Sequence, residues 1–440
     1  MAMGLVRKSS SLILISKCTA AFSPTYTHWK EVGPEDYAVT LLKRSSKSKF
    51  MPDALVFPGG VHDVADADPA WLELFSKCEV SSQKINQLFR QPDALRAGTY
   101  RSLAKQMEML PNQTEDAMML PEFSLRLTAL RETFEETGLL LARPVVAGVP
   151  SDPIALTEHG AYPISMNSTL SNEELMKTHT RYGAVMGENL KGWRAAVNAE
   201  PAKFAEMFAS TRGMKGALLP WVEGLVEWWA WLTPITYLTA RYDTMFYTAL
   251  LPHLELLPHM MSACSESSQL LVVRPSAAVQ DHQCGSSWLA PPQLYEFGRL
   301  ARFRSLAEVA AHVASRTGAG ARVAAAVHTW TPQVYKSLDS FITTLPGDEL
   351  YDRNYTLDAD GSAPLLHCSS ADLRSACADD LPKLTRSPAD AQAALRDAQR
   401  RPSVPLNRVE SNKRLHCSFV TNTNTDHGQV TPVDICGSLS

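Results

Sequence analysis

The chain has 440 residues, 45% of them hydrophobic and 20% charged, and 42 Lys and Arg stand against 46 Asp and Glu for a formal charge of −4. That length is about three times a typical domain of roughly 150 residues, which leaves one to three domains open, and the apolar share excludes a disordered or fibrous chain. Near-balanced charge argues against a broad electrostatic footprint for nucleic acid, so an anionic ligand has to be held by local positive charge or by a metal.

The first 30 residues contain Arg7, Lys8, Lys17 and Lys30, with no acid before Glu31, which is a transit-peptide composition. The β-rich run Ser11–Ile15 favours a first strand instead. A second strand is expected over Tyr37–Leu42, alternating through Val39 and Leu41. The Pro and paired Gly of "FMPDALVFPGG" (Phe50–Gly60) then mark a turn with unusual backbone angles. Residues 69–112 have a polar helical pattern, and Leu120–Leu141 is strongly helical. Further helical stretches are expected between Ser171 and Trp231, where Trp221, Leu225, Trp228 and Leu232 recur at three- and four-residue spacing; a packed core explains those aromatics better than a cofactor box. Ala217–Leu232 comes nearest to a membrane span, but Pro220, Glu223 and Glu227 interrupt it. The segment Thr233–Leu251 returns to β-type residues, with Arg241 and Asp243 expected to pair beside the sheet. A strand at Ser268–Arg274 ends at Pro275, and helices follow at Pro291–Leu300 and Ser305–Arg316. Beyond Asp358 the composition turns to Asp, Ser and Pro, which reads as a partly flexible tail with one helix at Asp390–Arg400. The 8 cysteines are scattered without a CxxC or a Cys/His cluster, so neither a zinc site nor a disulfide framework is expected, and a reducing compartment fits.

Chemistry concentrates in Arg131-Glu132-Thr133-Phe134-Glu135-Glu136-Thr137-Gly138-Leu139. On a helix of about 3.6 residues per turn, Glu132, Glu135 and Glu136 share one face, while Leu127, Leu130 and Phe134 take the other. Carboxylates so placed repel unless a positive charge lies among them. Oxygen-only ligands select hard ions such as Mg²⁺ or Mn²⁺. The alternative is an acidic solvated face stopped by Gly138.

Upstream, Phe57–Gly60 reads FPGG, and Asp66 stands at the sixth position after Gly60. Together these segments resemble the Nudix box, G-x5-E-x7-R-E-U-x-E-E-x-G-U, matched at Gly60, Arg131, Glu132, Glu135, Glu136, Gly138 and Leu139. Asp66 replaces the first Glu of the box, and Thr133 takes its bulky apolar position. Between Asp66 and Arg131 lie 64 residues in place of seven, an excess of 57. A box split in this way resembles the coenzyme A diphosphatase branch of the Nudix hydrolases, related to the peroxisomal family member nineteen. Leu41–Ser45 leading into Phe50–Gly60 resembles the coenzyme A-associated element of that branch; Trp231–Tyr247, Trp288–Val309 and Leu345–Tyr351 resemble its other blocks.

The resemblance implies an α/β fold, the Nudix α/β/α sandwich. The Nudix domain would span residues 8–357, with an insertion at 67–124 inside the box and a helical insertion at 150–230, before a tail at 358–440. It implies a metal-dependent diphosphatase acting on coenzyme A and acyl-coenzyme A. Glu132, Glu135 and Glu136 would hold Mg²⁺ or Mn²⁺ together with the Gly60 carbonyl, Arg131 would orient Glu132, and Asp66 would pair with Arg131. Glu136 and Glu266 are both candidates for the general base. In the basic run Lys43–Lys49, Arg44 and Lys43 would meet the substrate phosphates, while Lys47 and Lys49 read as solvated. A diphosphatase for ADP-ribose, NADH or capped RNA would use the same metal face, and a silent binding module would usually lack it. The resemblance points to the peroxisome, whereas Gly437-Ser438-Leu439-Ser440 lacks an SKL-like ending, so the mitochondrion and the cytosol stay open.

Overall fold

The computed structural model describes residues 6–18, 33–48, 50–89, 92, 96–110, 119–146, 149–158, 160–164, 184–211, 217–237, 240–251, 267–316, 327–401, 404–412 and 417–421. Its first strand, Val6–Lys17, runs through the middle of the largest sheet. Successive side chains of a strand point to opposite faces. Leu12 and Leu14 therefore enter one apolar cluster, while Ile13 and Ile15 enter another on the far side. A strand buried on both faces reads as a continuous apolar run, and the strand reading of the basic N-terminal segment is the one the structure has.

The sheet order is Ser267–Val273, Tyr37–Arg44, Val6–Lys17, Arg241–Leu251, Val226–Leu232 and Thr329–Trp330, with Leu55–Val56 added beside Tyr37–Arg44 and Gly59–Val61 beside the first strand. The first strand and Arg241–Leu251 pair in parallel from Val6 against Arg241 to Ser16 against Leu251. Helix Pro121–Thr137 packs on one face through Phe123, Leu127 and Leu130, together with Trp71, Phe75, Phe89 and Tyr100 of three short helices, Ala70–Ser76, Ser82–Phe89 and Gly98–Met107. Helices Pro275–Gln283, Pro291–Leu300 and Leu306–Ser315 cover the other face. Three layers result, and the fold is an α/β/α sandwich.

The residues between Asp66 and Arg131 are fastened to the sheet by buried polar contacts. Tyr100 bonds Glu227 and Tyr247 at 2.9 Å each, and Thr99 donates to Asp243 at 2.5 Å. Arg126 reaches Glu227 at 3.1 Å. Buried polar groups that are fully partnered specify a single arrangement, and here they hold the insertion against the core so that both halves of the box can meet.

Four expectations differ from the structure. Trp221–Leu232 is not an α-helix: after a short 3-10 turn at Val222–Gly224, Val226–Leu232 is a strand beside Arg241–Leu251, with a register shift between Glu227 and Trp229; its tryptophans enter the cluster under the later helices, while Ala230 enters the cluster on the opposite face. The block 150–230 is only partly helical. It has helices at Ala184–Ala199 and Lys203–Ser210, but also supplies strands Ile154–Thr157, Gly160–Pro163 and Ala217–Pro220 to a second sheet built around Leu140–Val146. Asp243 pairs with Lys8 at 2.5 Å rather than with Arg241, which donates to the Thr233 carbonyl. The segment after Asp358 is built into the fold as far as the described residues reach. It carries helix Pro388–Ala398, and strands Asn407–Asn412 and Cys417–Thr421 extend a third sheet with Gln333–Lys336 and Ser340–Thr344. Among the described residues no helix is long and apolar enough to cross a membrane, and five cysteines there are free thiols.

Candidate active site

The glycine turn is delivered by the central strand. Gly59–Val61 pairs antiparallel with Ser9–Ser11, so a side chain at Gly59 would strike the Ser10 carbonyl and the Ser11 backbone. Gly59 also has φ 153°, a conformation that glycine alone adopts readily. At Gly60 a Cβ would fall on the Glu132 carboxylate. The missing side chains thus let the turn approach the acidic helix closely, and the Gly59 amide donates to Glu136 Oε2 at 2.8 Å.

Helix Pro121–Thr137 starts with Pro at its first turn, where no amide partner is lost, and ends at Gly138 in the left-handed conformation, φ 74°. Nearly every residue along it is buried; over its last two turns only Glu132, Glu135 and Glu136 are partly open. That stripe lies on a cleft, so the three glutamates do not form an ordinary solvated face.

Arg131 organises the acids. Its Nε and Nη2 donate to the two oxygens of Asp66 at 2.8 Å each, and its Nη1 donates to Glu132 at 3.0 Å and Glu135 at 2.7 Å. Burial would raise the Asp66 pKa, but the charge and hydrogen bonds of Arg131 outweigh it and hold that carboxyl below its ordinary range. For Glu132 burial wins over the pull of Arg131, with Glu135 adding repulsion, and the pKa is pushed up to about 7. Burial raises Glu135 as well, against Arg131. One guanidinium is being shared among more negative charge than it neutralises.

The cleft has a volume of about 1300 Å³ and is lined by Gly59, Gly60, Arg131 and all three glutamates. Arg44 also lines it, but its fork is engaged locally: Nε and Nη2 donate to Ser48 Oγ at 3.2 and 2.8 Å, and Nε to the Phe50 carbonyl at 3.1 Å. Lys47 is exposed at the cleft. Lys43 is not among the lining residues and stands 3.9 Å from Asp53. Glu266 and Lys49 lie outside the described residues.

Several contributors were not picked out from the sequence. His62 lines the cleft, and its Nε2 lies 2.7 Å from Ser124 Oγ, which donates to the Asp66 carbonyl at 2.9 Å. Burial lowers the His62 pKa, with Asp66 opposing. Its only sequence signal is a histidine two residues past the double glycine. From the later insertion, Arg194 Nε donates to the Glu135 carbonyl at 2.9 Å, a cation at the C-terminal end of the acidic helix, where the macrodipole favours it.

Residue chemistry fits a hard divalent cation. All donors on this face are oxygens, and Asp66, Glu132, Glu135 and Glu136 leave a negative excess beside one guanidinium. Among the described residues no three of His, Cys, Asp and Glu already stand in a cation-binding cluster; Arg131 draws Glu132 and Glu135 together, whereas Glu136 turns to the Gly59 amide. Glu132, Glu135 and Glu136 are the side chains that could hold the ion.

Comparison with known proteins matches this architecture. A family model of the NUDT19 Nudix domain matches residues 6–300. The acyl-coenzyme A diphosphatase NUDT19 of Gallus gallus is 32% identical over 358 residues, covering 80% of this chain and 81% of that protein. Its counterpart in Xenopus laevis is 30% identical over 340 residues, 76% of each chain. A crystal structure of a Nudix hydrolase from Alicyclobacillus acidocaldarius aligns with a TM-score of 0.42 at 18% identity, over 70% of this chain and 96% of that one.

Proposed function

The chain belongs to the NUDT19 Nudix family, and from that premise we propose that it is a metal-dependent diphosphatase that hydrolyses coenzyme A and acyl-coenzyme A. The observation that carries the reading is the set of Glu132, Glu135 and Glu136 held close against the Gly59–Gly60 turn, all lining one cleft. Relatives named for acyl-coenzyme A hydrolysis, similar over most of both chains, support the substrate.

Water attacks one phosphorus of the diphosphate, the bridging P–O bond breaks, and the products are 3′,5′-ADP and (acyl-)4′-phosphopantetheine. A divalent ion, Mg²⁺ or Mn²⁺ in this reading, neutralises the phosphate oxygens when bound. Glu132, Glu135 and Glu136 would hold it, together with the Gly60 carbonyl. Arg131 fixes the carboxylates of Glu132 and Glu135, and preorganised charge of this kind carries most of a phosphoryl displacement. A carboxylate takes the proton of the attacking water, with Glu136 and Glu266 as the two candidates. Arg44 shapes the phosphate side of the cleft through Ser48 and Phe50. The same family resemblance makes the peroxisome the compartment of this reading, which imaging of a tagged chain tests.

Release of 3′,5′-ADP from coenzyme A should require Mg²⁺ or Mn²⁺ and vanish in Glu136→Gln. Metal-independent turnover, an unaffected variant, or a preference for ADP-ribose or NADH, which lack pantetheine, would reject the reading.

A further inference from the structure

The acidic face occupies only part of the cleft. Its roughly 1300 Å³ exceeds the usual range of about 300–1,000 Å³ for small-molecule pockets, and far exceeds what a diphosphate and a cation need. The remainder is walled by the sheet of Gln333–Lys336, Ser340–Thr344 and Asn407–Asn412, which lies beyond residue 300, where the family match ends. Alternation along these strands puts Tyr335 and Ile342 into an apolar core with Leu366 and Leu373. The opposite face turns Val334, Phe341 and Thr343 toward the cleft, joined by Pro332, Ala363 and Ser411. None of these six is charged. Phe341 keeps 40% of its surface exposed, a large apolar ring on a sheet face.

Resting on the function proposed above, we propose that this C-terminal sheet is the wall that receives the acyl chain of the substrate and so sets chain-length preference. The cleft lining offers the kinds of surface this requires. Arg44, at the end of strand Tyr37–Arg44, and Ser45, Lys47 and Ser48 of the loop after it also line the cleft, and this cationic and hydroxyl-bearing group suits the phosphates of the nucleotide half. The uncharged sheet face suits an alkyl chain, and the acidic stripe of Glu132, Glu135 and Glu136 on the same cleft suits the diphosphate.

The wall is also rigidly mounted. Asp348 and Arg408 form a fully buried pair, Tyr295 bonds Asn407 at 2.7 Å, and Leu345 and Val409 belong to the same apolar cluster as the helices behind the central sheet. A fixed apolar wall gains affinity from each buried methylene, so its contribution grows with chain length.

The test compares wild type with Phe341→Ala and Val334→Asp on coenzyme A and lauroyl-coenzyme A, with Mg²⁺ present and folding verified by thermal melts. The kcat/KM for lauroyl-coenzyme A should fall about tenfold, mainly through KM, while that for coenzyme A stays within about twofold. Parallel loss on both substrates, or no change on either, overturns the wall. Titration of metal-free protein with the same two ligands reads the wall without turnover, and equal weakening of both, or of neither, overturns it there as well. Failure of wild type to hydrolyse either compound rejects the proposed function instead, and the titration still decides the wall.

Discussion

Arg131 grips both oxygens of Asp66 at 2.8 Å although 65 positions separate the two residues. Side-chain exposures of 2% and 1% make this a buried, bidentate ion pair, and Thr128 adds a hydrogen bond to Asp66 Oδ2 at 2.9 Å. The shorter reach of Asp relative to Glu is met because the insertion is held against the core. The pair closes the split box and leaves Arg131 Nη1 for Glu132 and Glu135.

Removing one partner from such a pair leaves an unpaired buried charge. Asp66→Ala should therefore destabilise the protein by about 3–5 kcal/mol, read as a lower urea midpoint, and should depress activity because Arg131 no longer fixes the two glutamates. Arg131→Lys keeps the charge but not the planar fork, so it should recover only part of the stability. Wild-type midpoints in either variant would contradict the arrangement.

Acid sensitivity follows from the same contact. Asp66 has a folded pKa below its unfolded value of about 3.9, with Arg131 overcoming the effect of burial. A carboxyl with a depressed folded pKa contributes its full stability above the unfolded pKa and loses it as pH falls through the folded one. The share of the stability gap between wild type and Asp66→Asn that Asp66 itself supplies should thus narrow progressively below about pH 4, beneath the range in which Glu132 titrates. A gap that widens on acidification would reverse the sign.

Much of the site was legible because metal-binding chemistry leaves short-range marks: Glu132, Glu135, Glu136 and Gly138 stand within one helix, and Gly59–Gly60 mark a turn whatever lies between. The Asp66–Arg131 contact came from the family resemblance, because no local pattern records a closure across an insertion. Val226–Leu232 was misread because a strand buried on both faces shows no alternation, and Trp221, Leu225, Trp228 and Leu232 happen to fit a helical period. Beyond Asp358, polar composition hid a folded segment whose burial rests on few residues, among them Leu366, Leu373, Leu384 and Ala394. His62 and Arg194 act through tertiary contacts, which single residues do not announce.

The two glycines of the turn should respond differently to alanine. At Gly60 the added methyl meets the end of the Glu132 side chain, which can move aside, so Gly60→Ala should fold with a near-normal melting temperature. Displacing that carboxylate by about 1 Å should still cost on the order of 100-fold in activity. At Gly59 the methyl meets strand backbone at φ 153°, and neither can yield cheaply. Gly59→Ala should lose about 1–3 kcal/mol of stability along with activity. Parallel melting and activity measurements separate the two, and a stable, active Gly59→Ala would refute the close approach.

Arg408 tests whether the C-terminal segment is part of the cooperative fold. Its Nε and Nη2 donate to Asp348 at 2.7 and 2.8 Å, its Nη1 donates to the Leu373 carbonyl at 3.2 Å, and neither ion has exposed side-chain surface. Asp348 belongs to the loop after Ser340–Thr344, whereas Arg408 lies on the neighbouring strand Asn407–Asn412, so the pair joins the late segment to the earlier one. Arg408→Ala strands a buried carboxylate and should lower stability by about 3–5 kcal/mol. Because Leu345 and Val409 share the apolar cluster behind the central sheet, the loss should appear in the main unfolding transition rather than as a separate early one. A loosely attached tail would leave that transition unmoved, and the urea curve distinguishes the two directly.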